Sequence, residues 1–135
     1  MKPTRMIPKT FNVSERTPSG LYDELNKEFD FDFDPCPLNP NYKIDGLEIN
    51  WGKRVFVNPP YGKAIRSWLE KALEELKLQT EVVVFLLPAY TDVKWFHEVA
   101  IPNGEIRFLK GRLKFSEHKN SAPFASMIVI FRRKK

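Results

Sequence analysis

The sequence predicts an α/β domain, with a mostly parallel sheet, helices on its faces and an antiparallel hairpin at its C-terminal end. Three patterns carry that expectation. Arg54-Val55-Phe56-Val57 is a short β-branched and aromatic run, and Val82-Val83-Val84-Phe85-Leu86-Leu87 is an unbroken apolar one; both suit buried strands. Between them Ile65, Trp68, Leu69, Ala72, Leu73 and Leu76 recur as one apolar helix face, so strand, helix and strand read as a crossover unit with parallel strands. Further on, Glu105 to Leu109 and Arg112 to Phe115 alternate in hydropathy around Lys110-Gly111, the pattern of a hairpin.

In chain order, residues 1–16 carry Lys2, Arg5, Lys9 and Arg16 with two prolines and little periodicity. They read as a basic arm ahead of a single domain over 17–135, either a solvated terminus or a segment that touches a polyanion. Thr17-Pro18 has the form of a helix start, Thr as cap and Pro at the first helical position, and Leu21, Tyr22, Leu25 and Phe29 continue at helical spacing. Phe29, Phe31 and Phe33 then alternate with Asp30, Asp32 and Asp34 until Pro35 and Pro37, which predicts a strand with Asp34 at its end. Cys36 reads as a small buried residue, because neither His97 nor His118 is near it in sequence. Residues 38–53 form a polar connection in which Asp45-Gly46 suits a turn.

Asn58-Pro59-Pro60-Tyr61 follows the first predicted strand. Ligands of open α/β sheets bind outside the carboxyl ends of the strands, so a polar residue held there by two prolines is well placed to meet one. The prolines fix the backbone and carry no amide donor. The Asn side-chain oxygen and a Pro carbonyl together make an acceptor pair suited to an amino group with two N–H donors, and Tyr61 adds a flat face for stacking. Pro88-Ala89-Tyr90-Thr91-Asp92 leaves the sheet on the same edge. There Tyr90 and Thr91 are candidates to line a pocket, while Thr91 or Asp92 is equally a cap for a short helix holding Trp95, Phe96 and Val99. Trp68 reads as core. Met127 to Phe131 closes as a buried strand before the solvated tail Arg132-Arg133-Lys134-Lys135.

The bulk numbers bound the rest. A chain of 135 residues holds one core, too little for a catalytic domain and a separate large recognition domain. The 42% hydrophobic and 29% charged content suits a globular protein. A net charge of +5 and an isoelectric point near 9.4 fit a polyanionic partner. Arg107, Lys110, Arg112, Lys114 and Lys119 are the cluster to place against phosphate, with a solubilising face as the other reading. A single cysteine allows no internal disulfide. No stretch has the length of a signal peptide's apolar region or of a membrane span, so the expected location is the cytoplasm. One Cys and two His without ligand spacing lead us to expect no metal site.

The order Thr17-Pro18, Phe31-Asp32-Phe33-Asp34-Pro35-Cys36, Asn58-Pro59-Pro60-Tyr61, Leu86-Leu87-Pro88-Ala89 and Gly111-Arg112-Leu113-Lys114-Phe115 resembles the small phage-type DNA N-6-adenine methyltransferases, the Dam-like group, over roughly residues 17 to 131. The resemblance implies a minimal Rossmann-like methyltransferase sheet and a site-specific, adenine-specific DNA methyltransferase. Its methyl donor would be S-adenosylmethionine and its partner DNA, in the cytoplasm of a bacterial host, with protection from restriction as a role. It implies catalytic positions at Asn58, Pro59, Pro60 and Tyr61, and cofactor positions at Thr17, Pro18, Asp34, Pro35, Cys36 and Asp45, with Trp51 as a stacking candidate. Asp34 would accept from the cofactor's hydroxyl or ammonium groups, or else it caps an Asp-Pro turn. Tyr90 and the basic cluster would meet the DNA. The glycine-rich loop usual in larger methyltransferases is missing: Pro35-Cys36-Pro37-Leu38-Asn39-Pro40 stands in its place. Other readings are therefore a cofactor-free DNA-binding or decoy module with the same fold, and a cytosine-N4 or RNA methyltransferase.

Overall fold

The computed structural model of the chain describes residues 18–37, 45–113 and 124–134. Its elements in order are α1 (Ser19–Phe29), β1 (Arg54–Val57), α2 (Ile65–Leu76), β2 (Val82–Pro88), a π-helical stretch Phe96–Ala100 running into α3 (Ile101–Asn103), β3 (Gly104–Phe108) and β4 (Ser126–Arg132). The apolar runs became the central strands because each must be covered on both faces: every residue of β2 after Val82 is buried, as is every residue of β4 before Arg132. The strands form one sheet in the order β1-β2-β4-β3.

That sheet is mixed rather than mostly parallel. β1 lies parallel to β2, with Val57 opposite Phe85, while β4 runs antiparallel to both β2 and β3. Arg112 and Leu113 form no strand opposite β3 as the expected hairpin required, and the rest of that expected strand, 114–115, lies outside the described residues. β3 pairs instead with β4, whose apolar length offers a ladder covered by protein, whereas Lys110, Gly111 and Arg112 are exposed. The predicted strand Phe29–Asp34 is also shortened. Phe29 continues the helical stripe of Leu21 and Leu25 and ends α1; Asp30, in left-handed backbone (φ 53°), closes the helix by donating to the Asn26 carbonyl at 2.8 Å. Only Phe33 makes a strand contact, a parallel bridge to Val55, with the Asp32 N–H on the Arg54 carbonyl and the Phe56 N–H on that of Phe33.

The register sorts the side chains into two layers. Phe56, Val84, Ile130 and Glu105 share one face of the sheet, and Val57, Phe85, Val129 and Ile106 the other. α1 covers the first face, with Tyr22 edge-on to Phe56 at 5.2 Å and Glu28 held by Arg107. The π-helical stretch covers the second, where Phe96 meets Phe108, and Arg66 of α2 reaches Glu98 of that stretch at 2.7 Å. The apolar stripe of α2 is buried as expected, Trp68 included, and so is Glu75, 2% exposed. Its carboxylate accepts the Trp51 backbone N–H and lies 3.3 Å from Lys71 Nζ, which satisfies a charge that would otherwise be costly to bury. Trp51 itself is 1% exposed, stacks on Trp68 and donates its ring N–H to the Gly46 carbonyl. It is a core residue, not a platform for a ligand. Among the described residues no helix is long and apolar enough to cross a membrane.

Candidate active site

β1 ends at Val57 and delivers Asn58 to the sheet edge beside Leu86, the next residue of its parallel neighbour. Asn58 is 8% exposed, so its amide sits in a water-poor place. Past the prolines, Gly62 adopts φ 113°, a region open to glycine, and the Ile65 N–H donates to its carbonyl. This turn leads the chain from the motif into α2. Tyr61 folds back over the sheet edge, its hydroxyl donating to the Leu86 carbonyl at 3.4 Å. β2 runs on to Pro88, whose carbonyl accepts the Tyr90 N–H at 2.9 Å in a tight turn. Tyr61 and Tyr90, far apart in sequence, both set an edge against Phe124, at 5.4 Å and 6.1 Å between centroids. Burial, and secondarily Tyr90, holds the Tyr61 phenol far above its ordinary pKa; burial pushes Tyr90 up to about 12. Both phenols keep their protons at neutral pH.

The second half of the site comes from Asp34. It follows Phe33, which is paired in parallel with Val55, so Asp34 leaves the sheet at the same end as Asn58. Its carboxylate accepts the Cys36 N–H at 2.8 Å, the expected turn. Asp34 is exposed by surface area, yet the protein packed around its carboxylate desolvates it enough to raise its pKa to about 6. Across from it stands Tyr22, on the first turn of α1, its phenol raised by burial first and by the Asp34 charge second. The helix starts one residue later than expected, so Pro18 is its N-cap; it supplies no side-chain cap, and the first turn holds no acidic residue. Pro35 is buried, and burial and Asp34 push the half-buried Cys36 thiol up to about 11, which disfavours a nucleophilic thiolate. Asp45 caps a turn by accepting the Leu47 N–H at 2.9 Å. A Cβ at Gly46 would run into the Pro35 carbonyl and lie 2.8 Å from Trp68 Cη2. This glycine therefore presses the loop after Asp34 onto α2, a role that the Asp-Gly turn signal did not show. Thr17 lies outside the described residues.

The basic cluster divides. Because β3 runs in the same direction as β1 and β2, Lys110 and Arg112 leave it at the Asn58 end, exposed and without an ion pair among the described residues. Arg107 is committed elsewhere: it grips Glu28 through two 2.7 Å hydrogen bonds, also bonds Glu105, and lies over the Phe29 ring. It ties α1 to the sheet, and a phosphate would have to displace two carboxylates to reach it. Lys114 and Lys119 lie outside the described residues. A hollow of about 480 Å³ lined by Leu73, Lys77 and Arg132–Lys134 sits at the opposite end of the sheet and gathers none of these groups. Among the described residues no three His, Cys, Asp or Glu side chains come together to hold a metal ion.

One sheet edge thus carries a carboxylate, an amide-proline turn, an aromatic group and exposed cations. A family model described as DNA N-6-adenine-methyltransferase (Dam) matches residues 7–135. The chain belongs to the Dam family. The match spans nearly the whole chain, including both halves of this edge. No curated protein matches the chain. Within this Dam-family chain, sequence reasoning missed Phe124, Tyr22 and Gly46. Phe124 precedes a strand and follows Pro123, with no periodic pattern to mark it, and Tyr22 was visible only as one apolar position of α1.

Proposed function

We propose that this chain transfers the methyl group of S-adenosylmethionine to N6 of adenine in DNA, at a base taken out of the helical stack. The observation that carries the reading is the convergence of Asp34, the start of α1 and Asn58-Pro59-Pro60-Tyr61 at one end of the sheet, in a chain of the Dam family.

The residues present fit the cofactor. The α1 start, where Pro18 supplies no side-chain cap, has backbone N–H groups and the positive end of a helix dipole for a carboxylate. Asp34, opposite Tyr22, suits the ammonium or hydroxyl groups of the same molecule. The cofactor, when bound, supplies an activated sulfonium methyl. The protein's part is alignment and charge. The adenine amino nitrogen is a poor nucleophile because its lone pair is delocalised into the ring. Asn58 Oδ1 and the Pro59 carbonyl, each accepting one of its hydrogens, favour a pyramidal nitrogen and stabilise the positive charge that develops on it. Burial of Asn58 strengthens that interaction by excluding water. Tyr61 stacks on the extruded base, and the rigid turn of Pro59 and Pro60 fixes the geometry without reorganisation. Lys110 and Arg112 hold the flanking phosphates.

The test is sequencing of modified bases in DNA from cells that express the chain, beside cells that express Asn58→Ala. We expect N6-methyladenine at a recurrent site with the parent chain and its loss, by at least about a hundredfold in rate, with the folded variant. Adenine methylation that persists in Asn58→Ala would sink the assignment of the acceptor pair, and its absence with the parent chain would sink the reading.

A further inference from the structure

Two hydroxyls at the carboxyl end of the sheet are buried without a hydrogen-bond partner among the described residues, Tyr90 Oη and Ser126 Oγ. They belong to adjoining strand ends, since Ser126 pairs with Pro88, two residues before Tyr90. A buried hydroxyl without a partner weakens a fold, and Phe or Ala at these positions would avoid that penalty. The strand residues next to them in the ladder, Leu86, Leu87, Met127 and Ile128, are apolar and at most 1% exposed, and the Tyr61 phenol is near enough to Tyr90 to be influenced by it. The Tyr90 ring is edge-on to Phe124, which is also edge-on to Tyr61, so this hydroxyl lies within the aromatic group beside the Asn58 motif.

The motif itself is one-sided. It presents acceptors to an amino group, and its prolines offer no N–H to whatever flanks that group. On adenine the flanking atoms are N1 and N7, both acceptors. The Tyr61 hydroxyl is already directed at the Leu86 carbonyl. We infer that the Tyr90 hydroxyl donates to a ring nitrogen of the target purine and so helps select the base in the site proposed above. The inference rests on that reading. A site built to hydrogen-bond a substrate atom rejects an analogue that lacks it, because a buried polar group is then left over.

The experiment uses duplexes containing the mapped target site with adenine, 1-deazaadenine or 7-deazaadenine at the target position, the full chain, and Tyr90→Phe. With the parent chain, one of the two analogues is expected to lose about tenfold in kcat/KM. Tyr90→Phe is expected to lose about as much on adenine, to show no further loss on that analogue, and to melt at the same temperature as the parent or higher. If Tyr90→Phe is unimpaired on adenine, or loses equally on all three substrates, the inference is overturned while adenine methylation stands. If the parent chain methylates no adenine at all, the proposed function falls and this inference with it.

Discussion

Asp34 has a structural task and, in the function proposed above, a ligand to meet as well. Its carboxylate closes a turn on the Cys36 N–H, yet desolvation keeps its pKa near 6 rather than 3.8. The folded protein therefore holds that proton more tightly than the unfolded chain does. The resulting contribution to stability is fully present below about pH 3.8 and is lost as pH rises through about 6. Above pH 6 the site carries a desolvated negative charge, which suits a cationic ligand. We expect S-adenosylmethionine affinity to fall as pH drops through about 6, and Asp34→Asn to bind weakly with no such dependence while melting higher than the parent at pH 7. Calorimetric titrations at pH 5 and 7.5 check the first point and thermal melts the second; equal pH dependence in both proteins would show that Asp34 does not face the cofactor.

At the scale of elements, the site depends on how loops lock onto α2 and the sheet. The connection from Asp34 to β1 is held by Trp51 against Trp68, by Glu75 on the Trp51 N–H, and by the Thr80 hydroxyl on the Gly52 carbonyl at 2.7 Å. Gly46 is the tightest point, since a methyl group there meets the Pro35 backbone and the Trp68 ring at once. Gly46→Ala must push the Asp34 loop outward, because the Pro35 carbonyl is backbone and cannot rotate aside as a flexible side chain would. We expect this variant to lose about 1–3 kcal/mol of stability in urea unfolding. It should also lose cofactor affinity at least tenfold, while Leu78→Ala, at an exposed position just past the end of α2 and away from the Asn58 end of the sheet, leaves affinity unchanged. Equal affinities in the two variants would separate the loop from the site.

The whole molecule is basic, with a net charge of +5, but its cations are not equivalent. Those on the Asn58 edge are exposed, while Arg107 and Arg132 share Glu28 and Glu105 on the face that carries α1. DNA affinity should fall as a power of salt concentration, as counterion release demands, and each phosphate contact should contribute about one unit to the slope. We expect Lys110→Ala and Arg112→Ala each to flatten the slope by about one. Arg107→Ala should leave the slope in place and instead lower stability by about 1 kcal/mol, the order of an exposed ion-pair network. Fluorescence anisotropy between 50 and 300 mM salt distinguishes them; an unchanged slope in both edge variants would move the DNA interface elsewhere.

Much of this was legible without coordinates. Arg54–Val57 was placed within its limits, β2 and β4 within one residue at each end, and the α2 stripe in full, because burial of both strand faces or of one helix face writes a short-range period into the chain. The expectation that Asn58-Pro59 accepts from an amino group, proposed above as its chemistry, came from residue type and resemblance. What tertiary structure decided was partnership: that β3 joins β4, that Glu75 has a buried N–H to accept, that Arg107 answers carboxylates, and that Phe124 gathers Tyr61 and Tyr90. Each joins residues distant in sequence, and the choice turns on competition among many possible pairings for the same buried surface. A local period records which side of a segment is covered, but not what covers it.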